Sequence, residues 1–305
     1  MLTTRCIWQQ AEHNAFTDLI WFGQALWCVF REGSAHVSPD GAFRLLRSAD
    51  RGQSWHSVAL ISARDADLRD AKLNTDANGN LLLLGAGALH HPEQHSHQSY
   101  LWQSGDGYSW SAAQPVGEPD IWLWRMVWQQ QRRLSPHCYA VGYRVGPDKL
   151  VRLYHGCSPL RLTPLADMLS GSYANESGLL FEPDGTALCL LRRDPDHGLF
   201  GQSKAPYTDW QWQDVGCRIG GPQWLQLPDG KLLACVRLYD EKVRTSLCWI
   251  DRQSGKLTEW QTLPSGGDCS YAGMVLRDDT LYISYYSSHE GKTGIYFSEL
   301  NLPAH

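Results

Sequence analysis

The sequence predicts an all-β fold, a six-bladed β-propeller of four-stranded antiparallel blades that takes residues 1–305 as a single domain. Three observations predict it: a polar corner closed by tryptophan that recurs, strand-like runs at regular intervals, and an aromatic-rich, glycine-rich composition. Fourteen Trp, thirteen Tyr and 28 Gly against four Met favour short strands and turns over helices.

The corner is Ser48-Ala49-Asp50-Arg51-Gly52-Gln53-Ser54-Trp55, and it returns as Ser104-Gly105-Asp106-Gly107-Tyr108-Ser109-Trp110. Ser and Asp side chains bond nearby backbone amides, Gly reaches positive φ, and Trp covers the turn. Ser203 to Trp210 is a degraded third copy. A repeated corner implies a repeated structural unit.

Runs that read as inner strands begin near Asp18, Leu68, Trp122, Glu176, Pro222 and Tyr271, at intervals of 50, 54, 54, 46 and 49 residues. Within a unit, an apolar strand, a Gly-containing turn and a second apolar strand precede a more polar pair. Asp184-Gly185 and Asp229-Gly230 each place an arginine, Arg192 and Arg237, eight residues after the turn aspartate. Asn78-Gly79 and Asp278-Asp279 mark similar turns, and Gly23 precedes Arg31 by a comparable interval. A ring of blades must close, and Arg5 to Gln10 is the candidate closing strand, because the last unit, Tyr271 to Leu300, is one strand short.

A formal charge of −5 and a pI near 6.2 provide no broad basic surface, so neither nucleic acid nor an anionic membrane is the expected partner. A small anionic ligand remains compatible with local arginines. No basic segment followed by an apolar run opens the chain, and no eighteen apolar residues are consecutive, which gives a cytoplasmic expectation unless a leader has been trimmed. Nine cysteines without a CxxC pair, several inside apolar runs (Cys28, Cys189, Cys235, Cys248), read as reduced core residues. The stretch His90-His91-Pro92-Glu93-Gln94-His95-Ser96-His97 has metal-ligating residue types but no strand or helix to hold their geometry. It reads as an inter-strand loop, and neither a metal nor another cofactor is expected.

With these corners and intervals the chain resembles the bacterial sialidase-like proteins with Asp-box repeats, a six-bladed propeller family. Ser48 to Trp55 fits the S-x-D-x-G-x-[TS]-W box in full, and Ser104 to Trp110 fits with one residue missing. The resemblance implies a site at the channel mouth. There arginines take a substrate carboxylate, a tyrosine activated by a glutamate is the nucleophile, and an acid protonates the leaving group. On matching positions this implies Tyr271 as nucleophile, Glu176 as its base, and Arg31, Arg192 and Arg237 as substrate-binding arginines. The acid position holds His36, which can donate a proton near neutral pH. The family's earliest arginine has no match, since His13-Asn14-Ala15-Phe16-Thr17-Asp18 occupies that region. Arg31, Arg69 or Arg125 would have to replace it. Asp67, Arg69, Trp124 and Arg125 stand at the same ends of the innermost strands and complete the substrate-binding set, with Trp124 placed to stack on a sugar.

The expected function is therefore a sialidase-like exo-glycosidase acting on a terminal acidic sugar of a glycan. Two alternatives remain: a polysaccharide lyase, in which arginine neutralises a uronate while His36 or Tyr271 moves protons, and a non-catalytic glycan-binding propeller. Plain structural readings compete for single residues. Arg192 and Arg237 could pair with aspartates between blades, Tyr271 could be a packed strand residue beside Tyr282, Tyr285 and Tyr286, and His289 could belong to a hairpin turn. The sequence leaves the oligomeric state open.

Overall fold

The computed structural model describes residues 2–129 and 137–302. Twenty-four strands form six four-stranded antiparallel sheets, one per blade, and the described residues contain no helix. Blade 1 is β2 to β5 (His13–Phe22, Ala25–Gly33, Ala42–Ser48, His56–Ile61) and blade 2 is β6 to β9 (Ala66–Thr75, Leu81–Leu89, His97–Ser104, Gln114–Val116). Blade 3 is β10 to β13 (Ile121–Gln129, His137–Arg144, Leu150–Gly156, Thr163–Ser170), and blade 4 is β14 to β17 (Ala174–Phe181, Ala187–Arg193, Leu199–Ser203, Gln211–Asp214). Blade 5 is β18 to β21 (Ile219–Gln226, Leu232–Leu238, Arg244–Ile250, Leu257–Thr262). Blade 6 takes β22 to β24 (Cys269–Arg277, Thr280–Ser287, Gly294–Asn301) and is completed by β1 (Leu2–Trp8), which pairs antiparallel with β24 from Leu2–Leu300 to Trp8–Ile295. The closing strand is thus the expected one, begun three residues earlier than Arg5.

Six hydrophobic clusters each fill the space between two adjacent blades. In β3, Leu26, Cys28 and Phe30 face blade 6, while Ala25, Trp27 and Val29 face blade 2. In β15, Ala187, Cys189 and Leu191 face blade 3, while Leu188 and Leu190 face blade 5. A strand packed on both sides needs apolar residues at every position, so the second strands read as unbroken apolar runs. Cys28, Cys189, Cys235 and Cys248 are buried free thiols in these layers, as their neighbourhoods predict.

All three tryptophan corners link the third strand of a blade to the fourth. Ser48 Oγ accepts from the Gly52 amide at 2.7 Å, Asp50 accepts from the Ser54 amide and hydroxyl, and Trp55 Nε1 donates to the Gly52 carbonyl at 3.1 Å. Trp110 donates to Gly107 in the same way, and Trp210 to Tyr207. The third corner keeps the geometry because Tyr207 adopts the positive φ, 66°, that Gly52 and Gly107 adopt elsewhere. Each corner also locks onto the preceding blade where a neighbour is available: a Cβ on Gly52 would lie 2.2 Å from the Phe297 ring, and one on Gly107 2.3 Å from Trp27. Gly52 has φ +90°, so Gly52→Ala combines backbone strain with a clash against a buried ring. We expect it to cost about 2 kcal/mol in urea unfolding. Gly23→Ala, whose Cβ would meet nothing within 4 Å, should cost less despite its positive φ; equal costs would rule out the Phe297 contact as the cause.

The inner strands begin earlier than the sequence predicts, at His13, Ala66, Ile121, Ala174, Ile219 and Cys269. The discrepancy has one cause. Each inner strand breaks register shortly after its start, between Ala15 and Asp18, Arg69 and Lys72, Leu123 and Arg125, Ala174 and Ser177, Gly220 and Gln223, and Ser270 and Gly273. The periodic pattern is interrupted at these six bulges, so periodicity finds the strand only around them.

Candidate active site

Antiparallel connectivity sorts the loops onto two faces. The tryptophan corners and the Asp184-Gly185 and Asp229-Gly230 turns fall on one, while the starts of the inner strands and the ends of the second strands fall on the other. The bulges belong to this second face. They offer Phe16, Asp70, Trp124, Glu176, Gly221 and Tyr271, one residue from each blade in turn. Phe16, Asp70, Gly221 and Tyr271 all have φ between 51° and 60°, a conformation that costs a non-glycine residue energy and turns its side chain out of the ladder.

Tyr271 and Glu176 meet. The Tyr271 hydroxyl donates to Glu176 Oε1 at 2.5 Å, and Arg192 Nη1 donates to both Glu176 oxygens, at 2.8 and 2.9 Å, and to Tyr271 Oη at 3.0 Å. The Gly221 amide supplies a further bond to Glu176 Oε2 at 2.8 Å. A Cβ on Gly221 would stand 3.0 Å from the Tyr271 ring at a φ of 54°, so both the close ring and the backbone favour glycine here. Thr17 Oγ1 donates to the Tyr271 carbonyl at 2.9 Å and ties blade 1 to the same backbone. Arg237 lies over the Tyr271 ring, its guanidinium carbon 5.4 Å from the centroid. Burial, with the Glu176 charge beside it, pushes the Tyr271 phenol well above its ordinary value, while Arg192 and Arg237 pull the other way. The resting group is a neutral phenol hydrogen-bonded to a carboxylate.

Arg237 is itself anchored. Its Nε donates to the Cys269 carbonyl at 2.7 Å and its Nη2 to that carbonyl and to Tyr286 Oη, with Asp268 3.4 Å away. Asp268 also accepts from Tyr286 at 2.5 Å and stands 2.8 Å from His36 Nδ1 and 3.3 Å from His13 Nε2. His36 is half exposed on the loop between β3 and β4, with its ring edge against Phe16.

Four of the expected binding residues take other positions than the sequence suggests, Asp67 among them as the buried partner of Arg31. Arg31 is wholly buried and spends its guanidinium on Asp67, Ser38 and the Ala35 carbonyl, so it shapes the loop that carries His36. Arg125 is held by both oxygens of buried Asp18, at 3.0 and 3.1 Å, and so binds blade 3 to blade 1 across the channel. Trp124, 2% exposed, carries Lys72 Nζ 4.6 Å from its ring centroid and points an edge at Tyr271, which leaves it supporting the tyrosine instead of standing open for a sugar. Arg69 stays at the rim, donating to the His36 carbonyl beside the Phe16 ring. Residues 90–96 lie between strands as expected, with His90 bonded to the Pro39 carbonyl, but His97 of the same stretch opens β8; His289 sits in a hairpin against Tyr296.

Asp70 has no assigned role in the sequence reading, yet it occupies the blade 2 bulge, and its Oδ1 is buried without a partner. Burial raises its carboxyl to about 6, against the pull of Lys72 and Arg69 and with the Glu176 charge adding to it. The only sequence signal for it is a charged residue where an inner strand should alternate. Burial likewise lowers the Lys72 ammonium. A raised folded pKa means that below the unfolded value, about 4, Asp70 is protonated in both states and costs nothing; the cost grows as pH rises through about 6. Asp70→Asn should therefore stabilise the fold by about 2 kcal/mol near pH 7.5 and by little near pH 4 in urea titrations. A gain independent of pH would exclude the carboxyl as its source.

Buried polar atoms without partners gather at this face: Asp70 Oδ1, Trp122 Nε1, Trp124 Nε1, Tyr239 Oη and Ser270 Oγ, among the described residues. Trp122, Trp124 and Tyr143 form an apolar wall beside Tyr271.

No protein-family model matches the sequence, and no curated protein sequence matches it. Solved structures do. A Dyadobacter fermentans protein of unknown function superposes with a TM-score of 0.84 at 18% identity, over 99% of both chains. Trypanosoma rangeli sialidase in complex with sialic acid gives 0.70 at 13% identity, over 96% of this chain and 55% of its own, so the present chain spans about half of that enzyme. The NanB sialidase of Streptococcus pneumoniae gives 0.73 at 9% identity, over 96% of this chain and 70% of that one. The fold of this chain is accordingly the six-bladed propeller of the sialidases.

Proposed function

We propose that the protein is a glycoside hydrolase of sialidase-like type, cleaving a terminal acidic sugar from a glycan through a tyrosyl intermediate. The observation that carries this reading is the 2.5 Å bond from Tyr271 to Glu176 with Arg192 bonded to both. A neutral phenol is a poor nucleophile; passing its proton to Glu176 as the Tyr271 oxygen attacks the anomeric carbon supplies the missing reactivity. Arg192 and Arg237 then stabilise the charge developing on the phenol oxygen and carry the positive field that attracts a sugar carboxylate. Asp70, protonated below about pH 6 and close enough for its charge to act on Tyr271, is the proton donor to the leaving oxygen in this reading, in place of His36, whose Nδ1 is engaged by Asp268. Water attacking the anomeric carbon would release the sugar and return the phenol, so the anomeric configuration is retained. The chain's titratable rim also fits a cleft that binds glycans without cleaving them. Incubation with aryl glycosides of acidic and neutral sugars, followed by product chromatography, separates the readings. Release of aglycone that depends on Tyr271 supports hydrolysis, an unsaturated sugar would mean a lyase, and binding without any product would leave only the lectin-like reading.

A further inference from the structure

We propose that His13, His36 and Asp268 bind one divalent transition-metal ion of the zinc class at the channel mouth. The three residues come from separate places in the chain: His13 opens β2, His36 lies on the β3–β4 loop, and Asp268 immediately precedes β22. One nitrogen of each imidazole and a carboxylate oxygen all lie within 4.8 Å of one another. Both nitrogens, His13 Nε2 and His36 Nδ1, converge on the same atom, Asp268 Oδ2, at 3.3 and 2.8 Å.

Donors about 2.0–2.1 Å from a tetrahedral zinc ion stand about 3.3 Å apart. His13 and Asp268 already have this separation. His36 has to withdraw by roughly half an ångström to reach it, and as a half-exposed side chain on a loop it has the space. Two imidazoles and one carboxylate are a donor set for zinc and its neighbours rather than for magnesium or calcium, which take oxygen. Three protein ligands leave a position for water or a substrate oxygen.

The surroundings are those of a prepared ligand. Asp268 offers one oxygen, Oδ2, that both imidazoles reach. Its other oxygen accepts from Tyr286 at 2.5 Å and faces Arg237, which fixes the plane of the carboxylate. His13 is some nine-tenths buried, and the nitrogen it turns to the site is Nε2, the one that reaches Asp268 Oδ2. The inference is independent of the nucleophile: it holds whether Tyr271 cleaves glycans or only binds them.

The test uses the full chain, stripped with a chelator and dialysed, then titrated calorimetrically with zinc chloride and, in parallel, with cobalt(II) followed by visible absorption. One ion per chain is expected, with a cobalt spectrum of low coordination number. His36→Ala should weaken binding by roughly tenfold or more while leaving thermal unfolding of the metal-free protein unchanged. The double variant His91→Ala/His95→Ala, in the histidine-rich loop, should bind as wild type does. Absence of saturable binding, retention of full affinity in His36→Ala, or loss of affinity in the loop variant would each overturn the site. Because the readout is metal binding alone, failure here is distinguishable from failure of the hydrolase reading.

Discussion

Tyr271→Phe is expected to reduce glycoside turnover on the order of a thousandfold or more while changing ligand affinity by no more than about threefold. The substitution removes one oxygen and keeps the ring that packs against Phe16, Trp124 and the Arg237 guanidinium. It also frees Glu176 from its shortest bond, but Arg192 and the Gly221 amide still occupy that carboxylate, so no buried charge is left alone. A loss confined to kcat therefore reports the missing nucleophile. Glu176→Gln should act in the same direction with a wider effect, because Arg192 loses one of its two ionic partners, Asp194 remaining, as well as the phenol losing its base. Steady-state kinetics on any cleaved aryl glycoside, with affinity measured separately by calorimetry, decide the matter. Full activity in Tyr271→Phe would end the tyrosyl mechanism, and equal falls in affinity and turnover would point to a binding role.

Asp67→Ala is expected to be the most damaging single change to stability, costing about 3–5 kcal/mol. Arg31 has no exposed surface and Asp67 is 4% exposed, so removing the carboxylate leaves a guanidinium in the interior that water cannot reach. The surrounding glycines show how closely the pair is enclosed. A Cβ on Gly41 would overlap Asp67 Oδ1 and one on Gly33 would lie 2.8 Å from Arg31 Nη1. Pairing the change with Arg31→Met should recover most of the loss, since an apolar side chain of similar length leaves no charge behind. Equilibrium urea unfolding of the single and double variants measures both; a single variant within about 1 kcal/mol of wild type would show that the pair is not stabilised as its burial implies.

The repeated corner, the unit spacing and the turn aspartates were sufficient in the sequence to find the blades, because each depends on local chemistry. The couple of Tyr271 with Glu176 and Arg192 was also legible, since those residues match a known pattern at equivalent points of separate units. Residues whose meaning lies in assembly were not. Arg31 and Arg125 look like any strand-end arginine until Asp67 and Asp18, brought from other blades, are seen to bind them. Asp70 and Lys72 stand in an interrupted alternation, where period carries no information about direction. His13 and Asp268 are separated by 255 residues, and only closure of the ring makes them neighbours.

The six bulges separate two demands that a strand ordinarily has to meet at once. Beyond the bulge each inner strand is committed to its neighbours: its side chains fill the layers between blades and tolerate little change. At the bulge one residue per blade is released from that duty. Phe16, Asp70, Trp124, Glu176, Gly221 and Tyr271 therefore form a ring of six positions, one per blade, on a repeated frame. A lineage could rewrite that ring one position at a time, altering chemistry without renegotiating the core. The frame superposes on solved propellers at 9–18% identity, so its shape is held by a pattern of burial and turns more than by particular residues.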